Sequence, residues 1–510
     1  MGLGALVMYL WQLSVSGYLQ FYDSGVYLAA SIHLVSGTLP YRDFTFIQPP
    51  GIMVIMSPVA LYARIFGGHD GFVLARIVSA VVTALNASFL AVLVRHRGRV
   101  AMVVAGAGLA LLPVAIFVSS GLRLEPYCVC FILIGSLVVF SHDTAGLATS
   151  NRRLLVGGVL LGVAVLVKLW AVFPLVALIV CLVPRYRRRA LLPLAAAVTT
   201  FAVVSLPFFV SAPRNFLSQV FVEQLSRKAD AVTGAQSVIG RLMDMTGFSS
   251  TTIAPNGAVV VVSFVVFVLL VAAAFARRLE REAFDVYWLL ATVITVTGLL
   301  AAPEYLNYYG YFAAPFLLGL LGLSLGRLGP SIGPVVQRLR LSKEVRRIIV
   351  AVSSLALAVL LFALVLFSTT FYSKAARFGI AQTAISPISN YVPKGSCVLY
   401  TEVAFGVVTN RLLASNPRCP TVVDPGGLWY AWGDHLVPPA PAFVAQWKTY
   451  FEEVDYVVSL APMSGPQSTY VDTWQNSFVP WDGALVRWFA GHYSLVYGRS
   501  GLYIYVKNAS

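Results

Sequence analysis

Apolar runs of helix-forming length recur along most of this chain, separated by short polar loops. A helix needs about 20 apolar residues to cross a bilayer core. Runs of this kind fall near 3–20, 72–94, 100–119, 127–141, 154–167, 170–184, 190–211, 257–276, 284–302, 310–326 and 348–370. They predict a polytopic α-helical membrane protein with about eleven transmembrane helices. The stretch 47–66 is apolar too, but Pro49, Pro50, Pro58 and its short length predict a re-entrant or interfacial helix. Beyond Phe371 the pattern changes. CVLYTEV (397–403), YVVSL (456–460) and LVYGRSGLYIYVK (495–507) read as β-rich runs, and PAFVAQWKTYFEE reads as a helix. Such a mixture predicts a small α/β domain. The expected organisation is therefore a membrane domain over 1–372 and a soluble α/β domain over 373–510.

Composition supports the membrane reading, since 58% of the 510 residues are hydrophobic and only 11% charged, against about 25% charged in soluble proteins. A net charge of +15 could suggest nucleic acid, but its distribution excludes that partner. The basic residues cluster between apolar runs: Arg95, Arg97 and Arg99; Arg152 and Arg153; Arg185 and Arg187 to Arg189; Arg277, Arg278 and Arg281; and Arg327 through Arg347. With about eleven spans every cluster falls on one side, which the positive-inside rule makes cytoplasmic. The N-terminal run has no basic n-region and continues as a span, so no cleavable signal peptide is expected. An odd number of spans then puts 373–510 outside, in a multi-pass protein of the plasma membrane. Outside is oxidising, and Cys397 and Cys419 are the only cysteines there, so they are expected to form a disulfide.

The outer loops hold the uncommon residues. Asp23 and Asp43 are the only acidic residues in the first 69 positions, and both follow the first apolar run. VYLAASIHLVSG after Asp23 has helical spacing at Val26, Ala29, Ala30 and His33, which predicts a helix lying flat on the bilayer surface. An aspartate held there can take a proton from a hydroxyl attacking a sugar carbon, which makes Asp23 the candidate catalytic base. Asp43, beside Arg42, reads more simply as an ion pair that shapes the loop. No Cys/His cluster with metal-ligand spacing, phosphate-cradling Gly loop or Ser-His-Asp arrangement is found. No cofactor is expected, although Asp23 and Asp43 leave a divalent ion open.

From residue 1 to about 370 the outer features come in a recognisable order. The carboxylate after the first span, Gly37-x-Leu39-Pro40-Tyr41-Arg42-Asp43-Phe44 and the Pro49-Pro50 return resemble the first outer loop of C-type (GT-C) membrane glycosyltransferases. The likeness is to bacterial relatives of protein O-mannosyltransferases and of aminoarabinose and arabinofuranosyl transferases. Gly121-Leu122-Arg123-Leu124-Glu125-Pro126, the Gly-rich run ending in Lys168, and Glu304-Tyr305-Leu306-Asn307-Tyr308-Tyr309 before Pro315 resemble later motifs of the same families.

The resemblance implies a GT-C fold. It also implies transfer of a sugar, such as arabinofuranose or mannose, from a polyprenyl-phosphate donor to a glycan, lipid or protein acceptor at the outer membrane face. Substrate contacts would come from Tyr27, Arg42, Asp43, Arg123, Glu125, Lys168, Glu304, Asn307 and Tyr308. A phosphate leaves as a stable anion and needs positive charge more than a proton donor. Lys168 is the first candidate for that charge, then Arg123, then Arg214, Arg227, Lys228 and Arg241. Plainer readings stand beside these: Lys168 can snorkel, Arg123 and Glu125 can be a structural pair, and the tyrosines can form an aromatic belt. The competing function is a transporter or flippase of a lipid-linked sugar, which would place charges or broken helices at span midpoints.

Overall fold

A computed structural model describes residues 2–15, 22–140, 149–226, 237–246, 257–276, 282–338, 385–432, 439–460, 462–463, 478–499 and 501–509. The expected last span (348–370), His142, Arg227, Lys228, Arg277, Arg278, Arg281 and the basic run 340–347 lie outside these residues, as does the expected domain boundary near 372. Two compact units are present. The first comprises Met1–Ser16, Val78–Ala202 and Gln236–Ala376, and the second Gly17–Ile77, Val203–Ala235 and Arg377–Ser510.

The first unit is a helical bundle. Its helices approach closely where small residues remove side-chain bulk, the usual device of lipid-embedded packing. Leu124–Phe140 packs on Asn151–Val167 at Gly135 and Gly157, and Ala283–Ala301 packs on Val172–Tyr186 where Gly298 meets Phe173. Gly257–Ala276 is apolar throughout and exposes Val262 and Leu269, as expected of a lipid-facing surface. Four described helical stretches are long and apolar enough to cross a membrane: Gly68–Leu93, Leu169–Ser211, Ala283–Ala301 and Asn307–Leu328. Arg99–Leu111 and Pro113–Ser119, bent by 54°, make a fifth if counted as one span. Leu169–Ser211 contains two of the expected runs, 170–184 and 190–211, joined around Arg187 at φ 49°. Several expected spans instead form shorter apolar helices, among them Gly2–Ser14, Leu124–Phe140 and Val260–Ala276.

Members of two basic clusters of the sequence meet in an ion network here. Arg97 Nη2 and Arg327 Nη1 both lie 2.5 Å from Oδ2 of the fully buried Asp285, and Arg97 also reaches Glu282 at 3.1 Å. The network ties the loop Arg95–Arg97 to helices Ala283–Ala301 and Gly310–Arg338.

The second unit joins the first loop to the C-terminal segment. Four strands, β1 (Val398–Tyr400), β2 (Tyr456–Ser459), β3 (Tyr493–Arg499) and β4 (Leu502–Lys507), form one sheet in the order β1-β2-β4-β3. The β1–β2 pair is parallel and the other pairs are antiparallel. The single run read at 495–507 is thus a hairpin, turned by Gly501 at φ 73°. Trp447, Phe451, Trp481, Phe489 and Tyr493 fill the core under the sheet, with Trp447 and Phe451 four residues apart on one face of Pro441–Glu453. Cys397 and Cys419 are joined by a disulfide, their Cα atoms 5.4 Å apart.

Helix Tyr22–Val35 does not have the free face expected of a surface helix. Tyr22 and every residue from Ser24 to His33 are buried. It packs against Gly51–Phe66 and against the short helix Ala404–Val408. A Cβ on Gly25 would lie 2.7 Å from Ala404 N, so only glycine admits that approach. The apolar period that predicted a lipid contact is satisfied by protein instead.

Candidate active site

Asp23 lies in the first turn of Tyr22–Val35 and is half-buried. Negative charge is favoured at a helix N-terminus. Its neighbours are firmly placed. Tyr22 Oη donates to Asp424 Oδ1 at 2.9 Å and accepts from Gly426 N at 2.7 Å, and its ring lies 5.2 Å from that of Phe478. Asp424 Oδ1 also accepts from Gly427 N at 2.8 Å. On the other flank is Glu402, buried just after β1, whose Oε1 accepts from Ala404 N at 3.3 Å. Burial first, and then the negative charge of Asp23, push the Glu402 carboxyl up to about 8. The C-terminal segment thus holds Tyr22, the neighbour of Asp23, through Asp424, and brings Glu402 within reach of the Asp23 charge.

The loop after this helix is a tight turn. Asp43 Oδ2 accepts from Leu39 N at 2.7 Å, and Arg42 binds both carboxylate oxygens at 2.8 Å. Those hydrogen bonds, Arg42 foremost, hold Asp43 below the usual carboxylate range. Tyr41 sits at φ 66° between them, with its O–H donating to Gln48 O and its own carbonyl accepting from Asn215 Nδ2. Asp43 and Arg42 thus shape the loop. Tyr27 is buried, its ring 6.2 Å from Phe46 and edge-on to it.

The remaining candidates lie in the first unit, and several meet there. Lys168 breaks the chain between Asn151–Val167 and the turn Leu169–Ala171. Its Nζ lies 2.5 Å from Glu125 Oε1, 3.8 Å over the Trp170 ring and 3.9 Å over the Tyr309 ring. Arg123 lies 4.1 Å over Tyr308 and 5.8 Å over Phe117. Charged and aromatic groups alternate in one cluster, an arrangement suited to holding cations without exposing them. Glu304 is buried and Asn307 exposed at the start of the turn Asn307–Tyr309. Arg241 is occupied differently: its Nη1 donates to the carbonyls of Leu299, Leu300 and Ala302, closing the end of Ala283–Ala301. Among the described residues no group of three or more His, Cys, Asp or Glu is placed to hold a metal ion.

Sequence reasoning missed Tyr22, Trp170, Glu402 and Asp424. The signal for Glu402 was a lone acidic residue in an apolar run, which a strand reading absorbed.

The comparisons with known proteins make this chain a membrane glycosyltransferase with the GT-C fold. The chain belongs to glycosyltransferase family 87, whose sequence model matches residues 46–303, about half its length. ArnT from Cupriavidus metallidurans bound to undecaprenyl phosphate is structurally similar: TM-score 0.60, 18% identity, covering 99% of this chain and 97% of that one. ArnT in the apo state gives a TM-score of 0.56 at the same identity, covering 98% and 96%. The archaeal oligosaccharyltransferase AglB from Archaeoglobus fulgidus gives 0.51 at 15% identity, covering 99% of this chain and 74% of that one. At these identities the likeness concerns the fold. No curated protein matches the chain in sequence.

Proposed function

We propose that this glycosyltransferase takes its sugar from a polyprenyl-phosphate-linked donor and passes it to an envelope glycan, lipid or protein at the outer face of the plasma membrane. Asp23 is the general base. The acceptor O–H gives its proton to Asp23, the acceptor oxygen bonds to the anomeric carbon, and the bond from that carbon to the phosphate oxygen breaks. The electron pair leaves on the phosphate, whose charge calls for a cation rather than an acid, and Arg123 and Lys168 take that role. A single displacement of this kind inverts the anomeric centre.

The observation that carries the reading is the setting of Asp23, a half-exposed carboxylate in a first helical turn whose neighbours are locked in place. Family membership favours a transferase over a transporter. The resemblance to the similar ArnT structure, which holds undecaprenyl phosphate, supports the donor class. In this reading the membrane domain is 1–372 with about eleven crossings, and 373–510 is extracytoplasmic. A pentose is the first sugar to test. Purified protein incubated with a panel of radiolabelled polyprenyl-phosphate sugars should transfer label from one of them. Transfer from nucleotide sugars alone, or from none of the lipid-linked donors, contradicts the reading.

A further inference from the structure

The helix Pro425–Trp432 begins beside the candidate base and ends on an open aromatic face. At its start Gly426 N donates to Tyr22 Oη at 2.7 Å, and Tyr22 is the residue before Asp23. At its end stands Trp432, 36% exposed. A helix of eight residues puts its two ends about 10 Å apart.

Trp432 is held firmly for an exposed side chain. One face of its ring stacks on the buried Phe443, with centroids 5.7 Å apart and planes 16° from parallel. Its Nε1 donates to Gln446 Oε1 at 2.7 Å, and Gln446 Nε2 donates to Tyr450 Oη at 2.6 Å. The direction of this chain is forced, because an indole N–H can only donate. The Gln446 carbonyl must therefore turn toward Trp432 and its amide N–H toward Tyr450. Tyr450 Oη accepts from Gln446, which leaves its own O–H to donate elsewhere. A leucine could cover Phe443 as well as Trp432 does, so the amide and phenol beside the ring need another reason.

We propose that this face is a subsite for a neutral glycan: the acceptor is an extended chain that stacks one sugar on Trp432 while the hydroxyl to be glycosylated reaches Asp23 along the helix Pro425–Trp432. The inference rests on the reading of Asp23 as base, and it selects the glycan among the acceptors that reading leaves open. A sugar ring has an apolar C–H face and a rim of hydroxyls. It matches a fixed aromatic face with a few oriented polar groups beside it. The C–H face covers Trp432, and a rim oxygen accepts from Tyr450 Oη. Charge points the same way. Trp432, Gln446 and Tyr450 are uncharged, and Lys448 pairs with Glu452 at 3.3 Å. Exposed Glu453, three residues past Tyr450, disfavours phosphate and other anions. An acyl chain laid on this face would leave the Tyr450 O–H without an acceptor.

The test uses the purified full chain and methyl glycosides of α-linked mannose and α-linked arabinofuranose, one to four residues long. Saturation-transfer NMR reads binding without turnover. Four-residue chains of one series should bind more tightly than the single sugar, and Trp432→Ala should weaken them about tenfold. Trp432→Phe should restore most of that affinity. Tyr450→Phe, which removes only the outward O–H, should weaken it about fivefold. In transfer assays the loss should appear in KM and grow with acceptor length. Equal binding of a four-residue chain by Trp432→Ala and wild type overturns the proposal, as does binding of no oligosaccharide in either series. A loss of the same size for one- and four-residue acceptors would make Trp432 a structural residue and overturn it too. Full turnover by Asp23→Asn would instead overturn the base assignment and leave the NMR result standing, so the two failures are separately visible.

Discussion

Lys168 is engaged by a carboxylate and two aromatic rings at once, which changes what its removal measures. Glu125 is almost wholly buried, and stripping a partner from a buried ion pair costs about 3–5 kcal/mol because the remaining charge is uncompensated. Lys168→Met should therefore lower thermal stability as well as donor binding and turnover. Lys168→Met with Glu125→Gln should regain most of the stability and none of the turnover. If the double variant regains both, the pair is purely structural and Lys168 does not meet the phosphate. These two residues were legible in the sequence because a charge at the end of an apolar run is expensive and needs a reason. Their aromatic partners were less so. Trp170 looks like any interfacial tryptophan, and only the break at Lys168 folds it back over the ammonium group.

At the scale of elements, the first-loop helix and the C-terminal segment depend on a contact with no side chain on one side. Gly25→Ala would put a methyl 2.7 Å from Ala404 N and Cβ. Overpacking of this kind costs about 1–3 kcal/mol. The variant should melt at lower temperature and lose turnover, and Gly4→Ala, where a Cβ meets nothing, should do neither. Equal melting temperatures for Gly25→Ala and wild type would show that the two elements are not pressed together. The helix itself was legible from its period, but not what covers it. An apolar face reads the same whether it meets lipid or another part of the chain, and residues about 380 positions away leave no local trace. The helix Pro441–Glu453 and strand β2 were read within a residue of their ends, since amphipathic period and β-branched runs are local signals. Glu402 and Asp424 were not, because their meaning comes only from docking.

For the whole molecule, sidedness and the number of crossings are read from different signals in the sequence. Arg clusters report a side directly. Crossings depend on where helices break, and here they break at places such as Leu112, Lys168 and Arg187 that hydropathy averages over. With about eleven crossings, single cysteines placed at Ser150 and at exposed Asn416 should react with an impermeant thiol reagent from opposite sides of the membrane. Reaction from one side at both sites would contradict the topology and the outer placement of the C-terminal segment. The central claim, that Asp23 is the base for sugar transfer from a lipid-linked phosphate, is tested most directly by Asp23→Asn, which keeps size and loop shape. With donor affinity and turnover measured on the same preparation, the account predicts largely intact donor binding and a turnover reduced by about 10²–10⁴-fold. Near-normal turnover in that variant would contradict it.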